Sequence, residues 1–385
     1  MAISVEIPPP TQVDRARITP PYAPPPAARP ESGAPAHMPQ LDGLRCVAVL
    51  LVILAHAGPA WATRFGTWGV GVYGVWLFFV LSAFLITGIL LRVRDSAVPL
   101  GSALRTFYVR RFLRIFPAYY GVIAAARLLD LPFTPRVLLA HLLYLSNTPL
   151  AAQGPAALGH FWSLAVEEQF YLVWPLLVLL APARRLPRIF LWAVVIGLAT
   201  RGGLLLAGST VREAQPHMPS NLDSLGVGAL LAWHWHVAPH ALELRRRWLR
   251  IALSVALILM TVTLVLSVTG RRSPALGMIE STSAALAGVW LVDRCARGTR
   301  DWFGGMLLWR PVAYVGTISY GVYLVQTPIR WMLGEALDRQ GVRDGSIALF
   351  FAVAALSGVV AAASWHLYEG PINALKRRFP YPERL

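Results

Sequence analysis

Apolar stretches of about 20 residues recur along this chain, and they constrain its fold more than any other feature. They run from near residue 44 to near residue 368, and several contain no acidic or basic residue. As a helix, a stretch of that length spans the hydrocarbon core of a bilayer, about 30 Å. Hydrophobic residues make up 56% of the chain and charged residues only 14%, which excludes an ordinary soluble enzyme. We therefore predict an all-α, polytopic membrane protein, a helical bundle with about ten transmembrane helices.

Ten membrane spans can be placed on these stretches. Their predicted limits are 44–62, 69–91, 112–131, 162–181, 189–207, 222–237, 249–268, 276–292, 312–333 and 347–367. The apolar run at 137–150 is too short to cross a bilayer comfortably, so we predict a short re-entrant or interfacial segment there.

The basic residues predict the orientation of the spans. A net charge of +16 would suggest nucleic acid in a soluble chain, but here the charges lie in short links between spans, so no nucleic-acid partner is predicted. With the N-terminus inside, the inner links and the C-terminal tail hold 21 basic residues against seven or eight in the outer links. Counting 137–150 as a crossing would move most of the later arginine clusters outside. We predict a multi-pass protein of the bacterial inner membrane with both termini cytoplasmic.

Composition divides the chain into three parts. Residues 1–40 contain 11 of the 30 prolines, which predicts a disordered Pro-rich cytoplasmic tail. Residues 41–370 form the transmembrane domain, and residues 371–385 form a basic cytoplasmic C-terminal tail. The two cysteines, Cys46 and Cys295, have no metal-ligand spacing around them, so neither a disulfide framework nor a bound metal is expected.

Arg45 and His56 are the first candidate site residues, because ionisable groups inside a bilayer are costly unless they are paired or functional. They are 11 positions apart in the first span, which is three helical turns plus about 20°, so they share one face. Along the axis they are about 16 Å apart, which puts Arg45 at the cytoplasmic mouth and His56 about halfway across. The arginine can hold a phosphate and the histidine can act as a base. The alternative is a topology charge and a packing residue.

Glu167 and Glu168 are the second candidates, one turn into the span that begins near Trp162. Two adjacent carboxylates in an apolar helix are costly. Since neighbouring residues point about 100° apart, at most one of them shares a face with a given partner. One could orient an imidazole or shuttle a proton, while the other could pair with an arginine such as Arg201. The alternative is a structural ion pair.

Arg110, Arg111 and Arg114 are the third set, interleaved with aromatic residues on the predicted cytoplasmic side. Three arginines within five residues suit anionic lipid or a polyphosphate. For any single arginine, a simple topology charge is the alternative.

These motifs and three later segments together resemble the acyltransferase family 3 membrane proteins. The matching segments are Leu41 to Arg45 with His56, Leu77 to Ser82 with Phe84 to Thr87, Phe107 to Pro117, Phe161 to Tyr171, Asn221 to Gly228, Gly316 to Tyr323 and Glu369 to Pro371. The resemblance extends from about residue 41 to residue 378. It is specific because several independent motifs occur in the right order.

The resemblance implies a membrane O-acyltransferase that moves an acyl group, usually acetyl, from cytosolic acyl-coenzyme A to a hydroxyl of a sugar-containing acceptor. The acceptor would be an envelope glycan, an exported oligosaccharide or a macrolide-type glycoside. The donor is acyl-coenzyme A, and no metal is implied. A proton-coupled transporter or flippase of a sugar-containing substrate is the alternative from another class, and a non-catalytic membrane scaffold is a third.

The resemblance also implies roles for the candidate residues. Arg45 and His56 correspond to a pair regarded as essential in the family, and the arginine-rich segment is associated with the donor. His56 would be the base or the acyl carrier, and a carboxylate, Glu168 ahead of Glu167, would orient it. The chain departs from the family pattern at Gln326, where many relatives carry histidine. We expect this change to affect the acceptor pocket more than the donor site.

Overall fold

The computed structural model describes residues 38–67, 69–96, 98–151, 153–237, 242–271, 274–338 and 346–381. Every regular element within them is a helix and none is a strand, which confirms the all-α prediction. Nearly all of the predicted Pro-rich tail, 1–40, lies outside the described residues. The α-helices are α1 (Pro39–Ala57), α2 (Ala60–Thr63), α3 (Gly71–Asp95), α4 (Leu100–Leu128), α5 (Pro135–Leu142), α6 (Trp162–Leu180), α7 (Leu186–Leu206), α8 (Val211–Ala214), α9 (Leu222–Val237), α10 (Leu242–Val268), α11 (Pro274–Ala296), α12 (Trp302–Leu308), α13 (Arg310–Thr317), α14 (Ser319–Asp338), α15 (Ile347–Ser364) and α16 (Gly370–Ala374).

Each predicted span overlaps one or two of these helices, although the limits differ: α1 ends at Ala57 rather than at 62, and α4 begins at Leu100 rather than at 112. Within the described residues, seven helical segments are long and apolar enough to cross a bilayer: Pro39–Ala57, Gly71–Asp95, Ala156–Leu180, Ala183–Leu206, Leu242–Val268, Ala275–Ala296 and Ile347–Arg378. The other three predicted spans lie on α4, on α9 and on α13 with α14. Arginines interrupt α4, α9 has only 16 residues, and α14 carries several polar side chains.

α3 lies at the centre of the bundle. It packs against α1, α6, α9 and α11. In its most apolar 18-residue stretch 72% is buried inside the protein, against 17% in the corresponding stretch of α10 and 22% in that of the segment containing α7. Contact with α9 is close because Gly228 has no side chain; a Cβ there would lie 2.5 Å from the carbonyl oxygen of Val80. Small residues permit such close helix crossings in membrane proteins. The outer helices instead present leucine, isoleucine and valine side chains outward, where a bilayer supplies acyl chains.

Two buried ion pairs join the helices away from α6. Arg201 on α7 donates to the Asp223 carboxylate on α9 at 2.8 Å, and both side chains are less than 5% exposed. It also donates to the Ser281 hydroxyl and the Ser220 carbonyl. The suggested pairing of Arg201 with a glutamate of α6 is therefore wrong, because α7 directs this side chain towards α9 and α11. The second pair joins Arg245 to Asp293 at 3.0 Å.

The segment around α5 is held against the bundle by side chains of α4 and α6. The Tyr119 hydroxyl donates to the His141 carbonyl at 2.8 Å. Further along, the Asn147 and Gln169 amides exchange two hydrogen bonds, at 3.0 Å and 2.9 Å. α5 has only eight residues, about 12 Å of helix. It is too short to cross a bilayer, as the sequence predicts.

The C-terminal part of the chain continues as helix beyond the predicted start of the tail at 371. After α15, a π-helical turn at Trp365–Glu369 leads into α16 and then a 3-10 turn at Leu375–Arg378. These turns pack against α4. Residues 371–378 are thereby brought back onto the arginine-rich part of the bundle.

Candidate functional site

His56 lies near the C-terminal end of α1 and faces α14. Its Nδ1 is 3.1 Å from Oε1 of Gln326. The amide of Gln326 is oriented in turn by Thr327, since its Nε2 donates to the Thr327 hydroxyl at 2.5 Å. With that orientation the oxygen of the amide faces the imidazole, and an amide oxygen only accepts hydrogen bonds. Nδ1 therefore carries the ring proton, and the lone pair of the neutral ring lies on Nε2.

One face of α14 supplies most of the polar groups around His56. Tyr320, Tyr323, Gln326 and Arg330 recur three or four residues apart, which aligns them on one side of a helix. The Tyr320 hydroxyl donates to the Ile115 carbonyl of α4 at 3.1 Å. Gln326 holds His56, and the Arg330 charge lies near that ring. The face thus forms a polar strip that extends from α4 to the half-buried His56.

A second imidazole, His160, lies beside His56. The two ring centroids are 6.4 Å apart. His160 is only 5% exposed, and its Nε2 lies 3.2 Å from the Leu324 carbonyl on α14. The Tyr323 hydroxyl donates to the His160 carbonyl at 3.2 Å and also hydrogen-bonds with Ser163. The start of α6 is thereby fixed against α14.

Three arginines converge at the other end of the α14 polar strip. Arg114 lies close enough to Arg45 and to Arg111 for their positive charges to repel one another. α4 makes this possible because it begins at Leu100, twelve residues before the predicted span, and carries the arginine-rich segment as a helix. The guanidinium of Arg114 donates to the Thr317 carbonyl at 3.1 Å and stacks over Trp365 at 5.0 Å. The positive charges are partly offset, because Arg45 pairs with Asp42 and Glu369 lies within electrostatic range of Arg114. The remaining guanidinium donors still favour an anionic ligand.

Arg111 has the clearest capacity to bind a ligand within this cluster. Its guanidinium carbon lies 5.8 Å from the ring centroid of Phe107 and 5.7 Å from that of Tyr171. Its Nε is buried and has no hydrogen-bond acceptor among the described residues. A buried donor of this kind is stabilised by an acceptor, and phosphate oxygens suit a guanidinium well.

Arg110 points elsewhere. It donates to the carbonyls of Lys376 and Phe379 at 3.0 Å and 2.7 Å, and its guanidinium stacks over Tyr381 at 4.6 Å. These contacts hold the C-terminal turns against α4. Of the three arginines predicted from this segment, Arg110 is thus occupied by the chain itself.

Glu167 and Glu168 lie on α6, within electrostatic range of Arg111. Glu167 is beside Ser82 and Tyr171, within the electrostatic range of Arg111 and Arg45. Glu168 lines a cavity of about 460 Å³ together with Arg111 and several aromatic residues, a volume within the range of small-molecule sites. The cavity opens between exposed apolar side chains, including Leu172, which is 65% exposed.

The structure therefore groups the predicted site residues differently from the sequence. The described hydrogen-bond partner of the His56 ring is Gln326, rather than Glu168 or Glu167. Gln326 was expected to affect the acceptor pocket, and in the structure it lies directly on His56. His160 was not among the predicted site residues. A signal for Gln326 was available, since Tyr320, Tyr323 and Gln326 form a helical polar period within an apolar segment.

Among the described residues, no group of three or more histidine, cysteine, aspartate or glutamate side chains is arranged to hold a metal ion. The electrostatic features of the site are instead an arginine cluster, two carboxylates and an imidazole held in one tautomer. This set can bind an anion at one end and accept a proton at the other.

Residues 38–367 match the family model described as an acyltransferase domain. The chain is similar to the peptidoglycan O-acetyltransferase OatA of Listeria monocytogenes, with 28% identity over 363 residues, 88% of this chain and 56% of that protein. It is also similar to the O-acetyltransferase OatA of Staphylococcus aureus, with 26% identity over 367 residues, 88% of this chain and 58% of that protein. The chain thus spans about half the length of these curated relatives. No solved structure matches it.

Proposed function

The chain belongs to the acyltransferase domain family, and from that premise we propose that it is a membrane O-acyltransferase. It transfers an acetyl group from acetyl-coenzyme A to a hydroxyl of a sugar-containing acceptor, with envelope glycan as the first candidate. The acceptor class is supported by two relatives that are named as O-acetyltransferases, one of them a peptidoglycan O-acetyltransferase. The observation that carries the proposal is the arrangement of an arginine cluster and the half-buried imidazole of His56 at opposite ends of one helical face.

The donor end is the cluster of Arg45, Arg111 and Arg114. Coenzyme A carries several phosphate charges, and such a ligand would stabilise Arg114 together with Arg45 and Arg111, which both lie within repulsion range of Arg114. α1 is continuous from Pro39 to Ala57, so Arg45 and His56 share a face and are about 16 Å apart along it. The extended pantetheine arm of the donor would follow this face, with its phosphates at the arginines and its thioester near His56. This end is the cytoplasmic one.

His56 acts as the general base. The acceptor hydroxyl gives its proton to Nε2 as its oxygen bonds to the thioester carbonyl carbon, and the imidazolium that forms is oriented by Gln326 through Nδ1. The carbon–sulfur bond then breaks, and the coenzyme A thiolate takes the proton from Nε2. The products are an acetyl ester and free coenzyme A, and the histidine returns to its starting tautomer.

The two glutamates have separate roles in this scheme. Glu167 offsets the positive charge of Arg111 and Arg45, which it approaches from α6. Glu168 lines the cavity with Arg111 and can accept hydrogen bonds from a polyhydroxylated ligand, a common use of carboxylates in sugar binding. Neither role requires contact with His56.

The test is transfer of a labelled acetyl group by detergent-purified protein. Protein, [14C]acetyl-coenzyme A and a chitopentaose acceptor are incubated, and the base-labile label on the glycan is counted. The proposal predicts label transfer by the wild type and its loss in His56→Ala. His141→Asn is the matched control, since it removes a second imidazole of the bundle, one that is buried and contacts Val137 and aromatic side chains instead. Equal labelling by wild type and His56→Ala would refute the assigned role of His56.

A transporter makes a different prediction in the same experiment. Transport of a sugar-containing substrate forms no ester bond and releases no coenzyme A. Absence of labelled product with acetyl-coenzyme A and with longer acyl donors would therefore favour transport over acyl transfer.

A further inference from the structure

His160 has a buried nitrogen that the scheme above does not use. The residue ends a 3-10 helix, Ala156–Phe161, directly before α6, and it is 5% exposed. Its Nε2 faces the Leu324 carbonyl at 3.2 Å. Because a carbonyl only accepts hydrogen bonds, the ring proton lies on Nε2 and the lone pair of the neutral ring lies on Nδ1.

The Nδ1 atom of His160 has no hydrogen-bond partner among the described residues, although it is fully enclosed. Buried acceptors in proteins are nearly always satisfied, and an orphaned one calls for a specific explanation. The hydrogen bond to the Leu324 carbonyl accounts for a polar ring at this position, but it leaves Nδ1 without a partner among the described residues.

The ring of His160 lies beside the ring of the proposed base. The His160 and His56 rings are 6.4 Å apart between centroids, and both are held by the same stretch of α14. Leu324 fixes His160 through its carbonyl, and Gln326, two residues later, fixes His56 through its amide. One nitrogen of each imidazole thus hydrogen-bonds to α14, and the other nitrogen carries a lone pair. Each ring therefore has one nitrogen that can accept a hydrogen bond.

We propose that His160 Nδ1 binds the acceptor substrate, by accepting a hydrogen bond from an O–H or N–H group next to the hydroxyl that His56 deprotonates. This inference rests on the proposed acyltransferase function. Sugars suit such a pair, because a reacting hydroxyl has hydroxyl or acetamido groups on the adjacent carbons. His160 thereby helps to select which hydroxyl reaches His56, while His56 alone takes the proton.

Two substitutions separate the nitrogens of His160. The side-chain oxygen of His160→Asn falls near the Nδ1 position and keeps an acceptor there. His160→Gln extends to the Nε2 position, where its amide donates to the Leu324 carbonyl, and leaves no acceptor near Nδ1. Both variants stay polar and are smaller than histidine, and His141→Asn controls for loss of a buried imidazole elsewhere in the bundle.

The experiment measures initial rates with acetyl-coenzyme A and chitopentaose, varying each substrate in turn, on variants first checked for a wild-type elution volume. For His160→Gln we expect the KM for chitopentaose to rise about tenfold, the loss of one hydrogen bond to a neutral group, with the KM for acetyl-coenzyme A unchanged. For His160→Asn we expect the KM for chitopentaose to return to within about threefold of wild type.

Three results would overturn the inference. An unchanged KM for chitopentaose in His160→Gln would show that Nδ1 does not bind the acceptor. A raised KM for acetyl-coenzyme A alone would assign the nitrogen to an amide of the pantetheine arm. Failure of the wild type itself to transfer acetyl groups would overturn the proposed function and this inference together. That result is distinct from the other two, because it is seen in the wild type and does not depend on a substitution.

Discussion

Replacing Gln326 by leucine tests how the site controls the proton on His56. The substitution keeps the volume of the side chain but removes the oxygen that accepts the proton of Nδ1 at 3.1 Å. The imidazole can then carry its proton on either nitrogen, and the tautomer protonated on Nε2 cannot act as the base. We expect kcat to fall while the KM for acetyl-coenzyme A stays the same, because the arginine cluster is about 16 Å away along α1.

The size of the effect follows from the contacts of the amide. Loss of one neutral hydrogen bond costs about 1 kcal/mol, and leaving the buried N–H without a partner raises this to about 2 kcal/mol. At 25 °C these values correspond to a decrease of kcat between about fivefold and thirtyfold. The assay is continuous release of coenzyme A by the purified protein with saturating donor and acceptor.

Two companion variants sharpen this prediction. Gln326→His places a ring nitrogen where the amide oxygen lay, so it should retain more activity than the leucine variant. Thr327→Val removes the hydroxyl that fixes the amide at 2.5 Å, so the amide can flip and kcat should fall by a smaller factor. A kcat for Gln326→Leu within twofold of wild type would refute the reasoning. The reasoning would also be refuted if Thr327→Val lowered kcat by the same factor in the Gln326→Leu variant as in the wild type.

Three further predictions concern stability and order. Arg201→Met leaves the Asp223 carboxylate buried without its ion pair, so the free energy of unfolding should fall by about 3–5 kcal/mol, seen as a lower Tm in detergent. Arg110→Ala removes the donor to the carbonyls of Lys376 and Phe379, so trypsin should cleave the C-terminal turns faster while the Tm of the bundle changes little. The Gly304 N–H lowers the pKa of the Asp301 carboxyl below its ordinary value of 3.8. The stabilisation by Asp301 is therefore present at neutral pH and lost as the pH falls through that lowered pKa, so the Tm difference from Asp301→Asn should disappear in acid.

The positions of the spans were predictable because hydropathy reports directly on burial in a bilayer. The ten predicted spans overlap helices, although the limits differ by up to twelve residues at α4, and the short run at 137–150 overlaps a helix of only eight residues. The helical period also placed Arg45 and His56 on one continuous helix. Both predictions concern residues of a single helix, whose relative positions follow from their spacing in the sequence.

Partnerships between helices were not predictable in the same way. Arg201 could have met any acidic residue of the bundle, and its choice of Asp223 depends on how α7 packs against α9. Gln326 and His56 are 270 residues apart, and nothing local links them. The resemblance to the family suggested a glutamate as the partner of His56, whereas the structure provides an amide. An amide holds the tautomer without placing a negative charge beside the imidazole.

The central claim is that the arginine cluster binds the donor and His56 performs the transfer. Binding of [3H]acetyl-coenzyme A to purified protein, measured beside turnover for wild type, Arg114→Ala and His56→Ala, tests it most directly. We predict that Arg114→Ala weakens donor binding by about tenfold or more, the loss of one charge-assisted contact. We also predict that His56→Ala binds the donor as the wild type does but releases no coenzyme A. Equal donor binding by wild type and Arg114→Ala, or turnover that survives in His56→Ala, would contradict the account.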